Sequence, residues 1–406
     1  MKRRISRRFR PTVTSGLDQL EPRQLLSSGF QVVTSPTVSG AALNAVAAVS
    51  PTDIWAVGEQ TSGPLIENFN GTTWSVVTSP TVKGGDLLGV SAASSNAVWA
   101  VGSNGSDPLV EFFNGTSWSV QTLPAGTGSL AAVTAISAND VWAVGTTGTF
   151  GVRGSDLIEN FNGTSWSVVA NPGGNMLTGI SAISSTDIYA VGNQGTKADA
   201  EVLQFNGTAW SSVSAPSGQE TANSVDAVSD TDIWVAGAQG LQNFNGTSWT
   251  IVSQPDAEVN AISGTSADNI FAVGRTSGSF NGTFVDQWNG TDWTTVTSAS
   301  PGADSDTLNG VTILSNGTVV AVGNSDPGGA LIETNATTAA PASVSHVATP
   351  ASSVASTPAV KVTSSTSSVA TLAAPASAPQ GSGSVVLGVV PDGTPQGPLA
   401  FTTRRR

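Results

Sequence analysis

Residues 53–58 read DIWAVG, and the phrase returns as AVWAVG (97–102), DVWAVG (140–145), DIYAVG (187–192), DIWVAG (232–237), NIFAVG (269–274) and TVVAVG (318–323). The seven copies stand about 44 residues apart, and their aromatic column runs Trp55, Trp99, Trp142, Tyr189, Trp234, Phe271 before ending at Val320. A fixed period of this length marks a supersecondary unit that cannot bury its apolar face alone, so that neighbouring units must stack. A second phrase runs out of phase with the first: FNGTTW (69–74), FNGTSW (113–118, 161–166 and 244–249), FNGTAW (205–210) and WNGTDW (288–293). All eleven tryptophans fall in these two phrases.

Each unit reads as four short strands. The first is small and alternating, as in LLGVSAAS (87–94) or LTGISAIS (177–184). A turn, often Ser-x-x-Asp, leads into the aromatic phrase, which is apolar at nearly every position, as a sheet packed on both faces requires. A variable loop, a third strand such as LIEN (157–160), Asn-Gly and a Trp-led fourth strand complete the unit. Asn-Gly between two β-type runs predicts a hairpin with a type I′ turn, φ being positive at both central residues. Seven such units predict an all-β, seven-bladed β-propeller of four-stranded antiparallel blades.

The two ragged ends of the repeat fit each other. The seventh unit has LNGVTILS (308–315), TVVAVG and ALIETN (330–335), but no Trp-led strand follows. GFQVVTSPTVSG (29–40) matches TWSVVTSPTVKG (73–84) closely, and Phe30 precedes Trp55 by the same twenty-five residues that separate Trp74 from Trp99. The N-terminal strand at 30–35 is therefore expected to complete the last blade and close the ring, which removes the open edge of a linear stack. Along the first strands, Val46, Val90, Val133, Ile180, Val225, Ile262 and Val311 read as core, and the small residues beside them (Ala45, Gly89, Gly179, Gly310) as the lining of a central channel. Asp226 is the one charge in that small column.

Three segments follow: a basic head at 1–28, read as disordered, a propeller at 29–336, expected to be monomeric, and an Ala/Ser/Thr/Pro-rich tail at 337–406. The tail lacks aromatics until Phe401 and cannot bury enough apolar surface to order itself. Eleven of the fifteen Lys and Arg residues lie in the two end segments, and the formal net charge is −13. Between Phe30 and Asn335 only Lys83, Arg153, Lys197 and Arg275 are basic, against twenty-five acidic residues. Such a body repels phosphate backbones, which argues against nucleic acid as a partner. No run of about eighteen apolar residues offers a transmembrane helix.

The unit resembles the kelch repeat: Trp55 to Gly58 match its aromatic-then-glycine second strand, Phe69 its third-strand aromatic and Trp74 the tryptophan opening its fourth. It departs in having one glycine where kelch has a pair. LEPRQLLS (20–27), after the Arg-rich start, resembles the LEPR-XLL segment of large planctomycete proteins. That resemblance implies a bacterial protein with an extracellular or cell-surface destination.

The inventory of reactive groups is thin. The chain has no Cys, a single His (His346, in the tail) and a single Tyr (Tyr189), which excludes the copper-oxidase chemistry of some propellers, thiolate sites and a Ser-His-Asp triad. Asp304 and Asp306 in GADSDT are too few for a calcium loop, so no metal and no cofactor is expected. The Asn-Gly-Thr triplets satisfy a glycosylation pattern, but the turn already demands them. Asp53, Asp140, Asp187 and Asp232 recur before the second strand and read as turn caps. What remains is the rim carrying the variable loops, with Phe150, Arg153, Lys197, Asp226, Arg275 and Phe280 as candidate ligand-binding residues. The expected function is a non-enzymatic module that binds a protein or glycan there. The alternatives are a carbohydrate-active enzyme using Asp156, Asp199 and Glu201, and a surface domain without a specific ligand.

Overall fold

The computed structural model describes residues 29–336, apart from 81, 125, 149–153, 175, 194–199, 216–220, 239, 254, 278–281, 303–304 and 328. The LEPR-like segment and the tail lie outside the described residues. Within them are twenty-eight β-strands and no helix, arranged as seven four-stranded antiparallel sheets. Blade 1 consists of β2 (Ala42–Ser50), β3 (Asp53–Gln60), β4 (Gly63–Phe69) and β5 (Trp74–Val76), side by side in that order. Blades 2 to 6 repeat the pattern over 86–120, 128–168, 176–212, 222–253 and 257–295.

The seventh blade is assembled from both ends of the body. Its order is β1 (Gln31–Val32), β28 (Gly329–Thr334), β27 (Val319–Asp326) and β26 (Ser305–Ile313). Gln31 pairs with Thr334 and Val32 with Glu333, and Val33 N donates to Ile332 O at 2.8 Å. Phe30 is fully buried, its N–H donates to Thr297 O at 2.7 Å, and its ring lies 6.2 Å from that of Phe271. Phe30 thus stands where each other blade places the first tryptophan of its fourth strand. The closing ladder is shorter than the expected 30–35, spanning two residues.

The repeat drives the packing between blades. The second-strand aromatic of one blade packs on the aromatic pair of the next. Trp55 lies 4.7 Å from Phe113 and 5.3 Å from Trp118, Trp99 lies 4.8 Å from Phe161 and 5.6 Å from Trp166, and Trp142 lies 4.7 Å from Phe205 and 5.7 Å from Trp210. The contacts to the fourth-strand tryptophan are edge-on, at 70–78°, a favoured arrangement of ring quadrupoles. The glycine closing the phrase is required by close approach. A Cβ on Gly58 would meet Ala42 O at 1.9 Å, and one on Gly102 would meet Asp86 O at 2.0 Å.

Two details of the local reading change. The FNGTSW hairpin is a four-residue loop, because Phe69 pairs with Trp74, and only its glycine has positive φ (Gly71, +91°). The asparagine contributes its side chain instead: Asn70 Oδ1 accepts from the N–H groups of Thr72 (3.0 Å) and Thr73 (3.1 Å). The recurring aspartates do not cap the turn, since Ser50 Oγ accepts from Thr52 N and Ser184 Oγ from Thr186 N, both at 3.2 Å. They reach across to the third strand instead. Asp53 accepts from Asn68 Nδ2 (3.1 Å), Asp187 from Gln204 Nε2 (2.9 Å) and Asp232 from Asn243 Nδ2 (2.7 Å).

Candidate functional site

Antiparallel order puts the first-to-second and third-to-fourth turns on one rim, and the second-to-third and fourth-to-first loops on the other. On the turn rim the third-to-fourth hairpin repeats almost letter for letter in six blades. The loop rim varies, and it surrounds one mouth of a central channel of about 410 Å³ walled by the seven first strands.

The upper channel wall is built by a β-bulge. In each blade the register between first and second strands slips past one residue near the loop rim, between Leu43 and Ala45 in blade 1 and at the equivalent place in the other six; six blades slip again near the turn rim, as between Ala48 and Ser50. The slipped residues near the loop rim are Asn44, Leu88, Ala131, Thr178, Asn223, Asn260 and Asn309. Each asparagine amide stitches its blade to the next. Asn44 donates to Leu87 O (2.9 Å), Asn223 to Val259 O (2.9 Å), Asn260 to Leu308 O (2.9 Å) and Asn309 to Leu43 O (3.0 Å), while Thr178 Oγ1 donates to Ala222 O (2.6 Å). Blades 4, 5, 6, 7 and 1 therefore give the mouth a polar arc, and Leu88 and Ala131 leave an apolar one at blades 2 and 3. On the apolar side the loop rim carries a depression of about 680 Å³, with Val82, Leu109, Val120 and Leu123 beside Asn104 and Gln121.

The small column is small because it meets the neighbouring blade. A Cβ on Gly89 would lie 3.0 Å from Ala132 Cα, and one on Gly310 would lie 3.0 Å from Ala45 Cα. Asp226 belongs to a second row of stitches in this column. Ser91 Oγ accepts from Ala135 N and Ser181 Oγ from Ala227 N, both at 3.0 Å. Asp226 accepts in the same way from Gly264 N, and burial pushes its carboxyl up to about 7. Its larger side chain is accommodated because blade 6 has Gly264 where other blades have Ala48, Ala92, Ala135, Ala182 and Ala227. A Cβ there would sit 3.0 Å from Asp226 Oδ2.

Of the remaining candidates, Phe150, Arg153, Lys197 and Phe280 lie outside the described residues. Arg275 is the penultimate residue of the second strand of blade 6, at its loop-rim end, where its guanidinium pairs with Glu258 at 2.6 Å. Both partners are nearly half exposed, so the pair contributes little to stability. Asp226 lies mid-strand, opposite Trp234, so the structure does not place it on the rim beside Arg275.

Asp199 is also outside the described residues, whereas Asp156 and Glu201 come together in the seam between blades 3 and 4. Both are buried, with Glu201 Oε2 and Asp156 Oδ2 within 2.6 Å of the point a Cβ on Gly174 would occupy. Burial and the Asp156 charge hold Glu201 up at about 8, and burial raises Asp156 to about 6. A retaining or inverting glycosidase needs its carboxyls roughly 5–10 Å apart around a bond open to substrate. This pair is enclosed and closely apposed. No group of three or more potential metal ligands occurs among the described residues.

The sequence reading missed a column of buried acids on the third strand. Glu67, Glu111, Glu159, Asp286 and Glu333 occupy equivalent positions and are at most 4% exposed, with Leu203 and Gln242 in the other two blades. Glu333 is held by Ser298 Oγ (2.5 Å) of blade 6, but neither oxygen of Glu67 or Glu111 has a hydrogen-bond partner. Desolvation pushes Glu67, Glu111 and Glu159 up to about 7. The signal was present: the same column of the third-strand phrase holds an acid in five blades.

No protein-family model and no curated protein matches the chain. Solved structures do. The β-propeller is the fold they share with this chain. The WD40 propeller domain of Doa1 aligns with a TM-score of 0.56 at 13% identity, over 76% of this chain and 97% of that one. YCF48 bound to a D1 peptide aligns at 0.54 and 16% identity, over 75% and 94%. U3-55K aligns at 0.54 and 11% identity, over 76% and 98%.

Proposed function

We propose that the protein is a non-enzymatic interaction module that binds a segment of a partner protein on its loop rim, across the depression beside blade 2. The observation that carries this reading is the concentration of sequence variation on one rim, with a depression there lined by apolar side chains, amides and Asp107, against a turn rim whose third-to-fourth hairpins are nearly invariant. Concave, mostly apolar surfaces with a few polar groups are where ligands bind. The buried Asp156–Glu201 pair and the thin inventory of reactive groups support binding over catalysis. An extracellular or cell-surface location and kelch-like ancestry belong to the same proposal and rest on the sequence resemblances, and a glycan is the alternative ligand for the same rim.

The test is selection of the full chain against a displayed peptide library and, in parallel, a glycan array. The best ligand is then measured against Val120→Glu, which charges a residue 48% exposed on the depression, and Thr116→Ala on the turn rim. The expected result is binding at least ~10-fold weaker for Val120→Glu and unchanged for Thr116→Ala. Equal affinity for all three proteins overturns the rim assignment. Selection from the glycan array alone replaces the peptide by a sugar.

A further inference from the structure

We propose that the seam between blades 7 and 1 is a binding site for a small neutral aromatic molecule of indole size, which occupies the place that a second-strand aromatic ring fills in the other seams. The column Trp55, Trp99, Trp142, Tyr189, Trp234, Phe271 ends at Val320, so blade 7 alone sends no ring toward its neighbour. The receiving half of the seam is nevertheless intact. Phe69 and Trp74 of blade 1 lie 5.5 Å apart at 40°, matching Phe113 and Trp118 of blade 2 at 5.5 Å and 38°. In blade 2 that pair grips Trp55. In blade 1 it faces a cavity of about 300 Å³, walled by Ile54, Phe69, Trp74, Leu314, Val320 and Ile332.

The fold contains its own control. The equivalent place between blades 4 and 5 is walled by Ile233, Phe244 and Trp249, the counterparts of Ile54, Phe69 and Trp74. There Tyr189 occupies the column and the cavity shrinks to about 50 Å³. Replacing a ring by a valine side chain is thus what opens the space.

The chemistry of the walls selects the ligand. No charged residue lines the cavity, so a charged ligand would be desolvated without a counter-charge. An enclosed cavity of about 150 Å³ lined by aliphatic and aromatic side chains takes up benzene; this one, of about 300 Å³, is open on one side and also bears Thr72, Asn316, Thr318 and Thr334. A flat ring entering it would meet Phe69 and Trp74 at the offset and edge-on distances of roughly 4.5–7 Å that such rings prefer. Thr72 and Asn316 line the cavity and are exposed, so it opens on the turn rim, away from the loop rim.

The experiment uses 5-fluoroindole and fluorine NMR line broadening on the full chain, which avoids the eleven intrinsic tryptophans. Saturable binding is expected for the native chain. Val320→Trp, and Val320→Phe as the smaller replacement already used at Phe271, should each weaken it at least ~10-fold and raise the melting temperature, as filling a cavity does. Loss of binding in a variant that melts lower than the native chain overturns the reading, as does undiminished binding in a variant that melts higher. N-acetyl-tryptophanamide distinguishes the source of the ring. Binding weaker than that of free fluoroindole supports a small molecule, and equal or tighter binding overturns it in favour of a tryptophan side chain on a partner.

Discussion

Replacing Glu67 by glutamine should stabilise the protein at pH 8 and leave it unchanged at pH 4. Glu67 is fully buried with both carboxyl oxygens unpartnered, and burial lifts it from 4.5 to about 7. In the unfolded chain it titrates near 4.5. Below that value the acid is neutral in both states and its ionisation contributes nothing to the balance. Between about 4.5 and 7 the unfolded chain releases the proton while the folded chain holds it, so stability falls as pH rises. Above about 7 the loss is complete. A difference of about 2.5 units corresponds to a ceiling near 3 kcal/mol, and partial rearrangement of the seam brings the expected gain to ~1–3 kcal/mol. Glutamine has nearly the shape of the neutral acid, and the chain already places Gln242 in this column in blade 5. The assay is urea unfolding of both proteins at pH 4 and pH 8. A difference that is the same at both values, or a destabilised variant at pH 8, would refute the reasoning.

Phe30→Ala should cost ~3–5 kcal/mol, the price of truncating a fully buried aromatic, and the loss should appear in thermal unfolding without a change in far-ultraviolet dichroism at 20 °C or below. Gly264→Ala alone should destabilise by ~1–3 kcal/mol, because its Cβ would meet both Asp226 Oδ2 and Ile270 Cγ1 at 3.0 Å. Asp226→Ser in the same chain should recover the part of that loss that comes from Asp226, and additive effects in the double-mutant cycle would show that the two positions are not coupled. Asn70→Ala should cost ~1–2 kcal/mol by removing the acceptor for two loop N–H groups, a loss that chemical denaturation measures directly.

Much of the fold could be read from the sequence because a propeller writes the same local problem seven times. The Phe30-to-Trp55 spacing located the closing strand, since a fixed blade length leaves one place for it. The turn chemistry was harder. Asn-Gly is compatible with both a two-residue and a four-residue loop, and only the Phe69–Trp74 pairing decides between them. The aspartates were assigned to the nearest backbone, whereas their partners sit eleven to seventeen residues away on the third strand. The buried acids escaped notice because a single Glu in LIEN looks like the solvent-facing position of an alternating strand. In a sheet covered on both faces that position has no water. The loop rim was the least legible part, because loops that do not repeat offer no column to compare.

The two-residue ladder at Gln31 and Val32 also sets the earliest moment at which the ring can close during synthesis. Its partner strand lies roughly 300 residues downstream, about 15–60 s of synthesis at usual elongation rates. Throughout that interval Phe30 has no blade 7 to enter, and the nascent body is an unfinished arc with two raw ends. Ring closure therefore waits until the first stretch of the body to emerge can meet nearly the last.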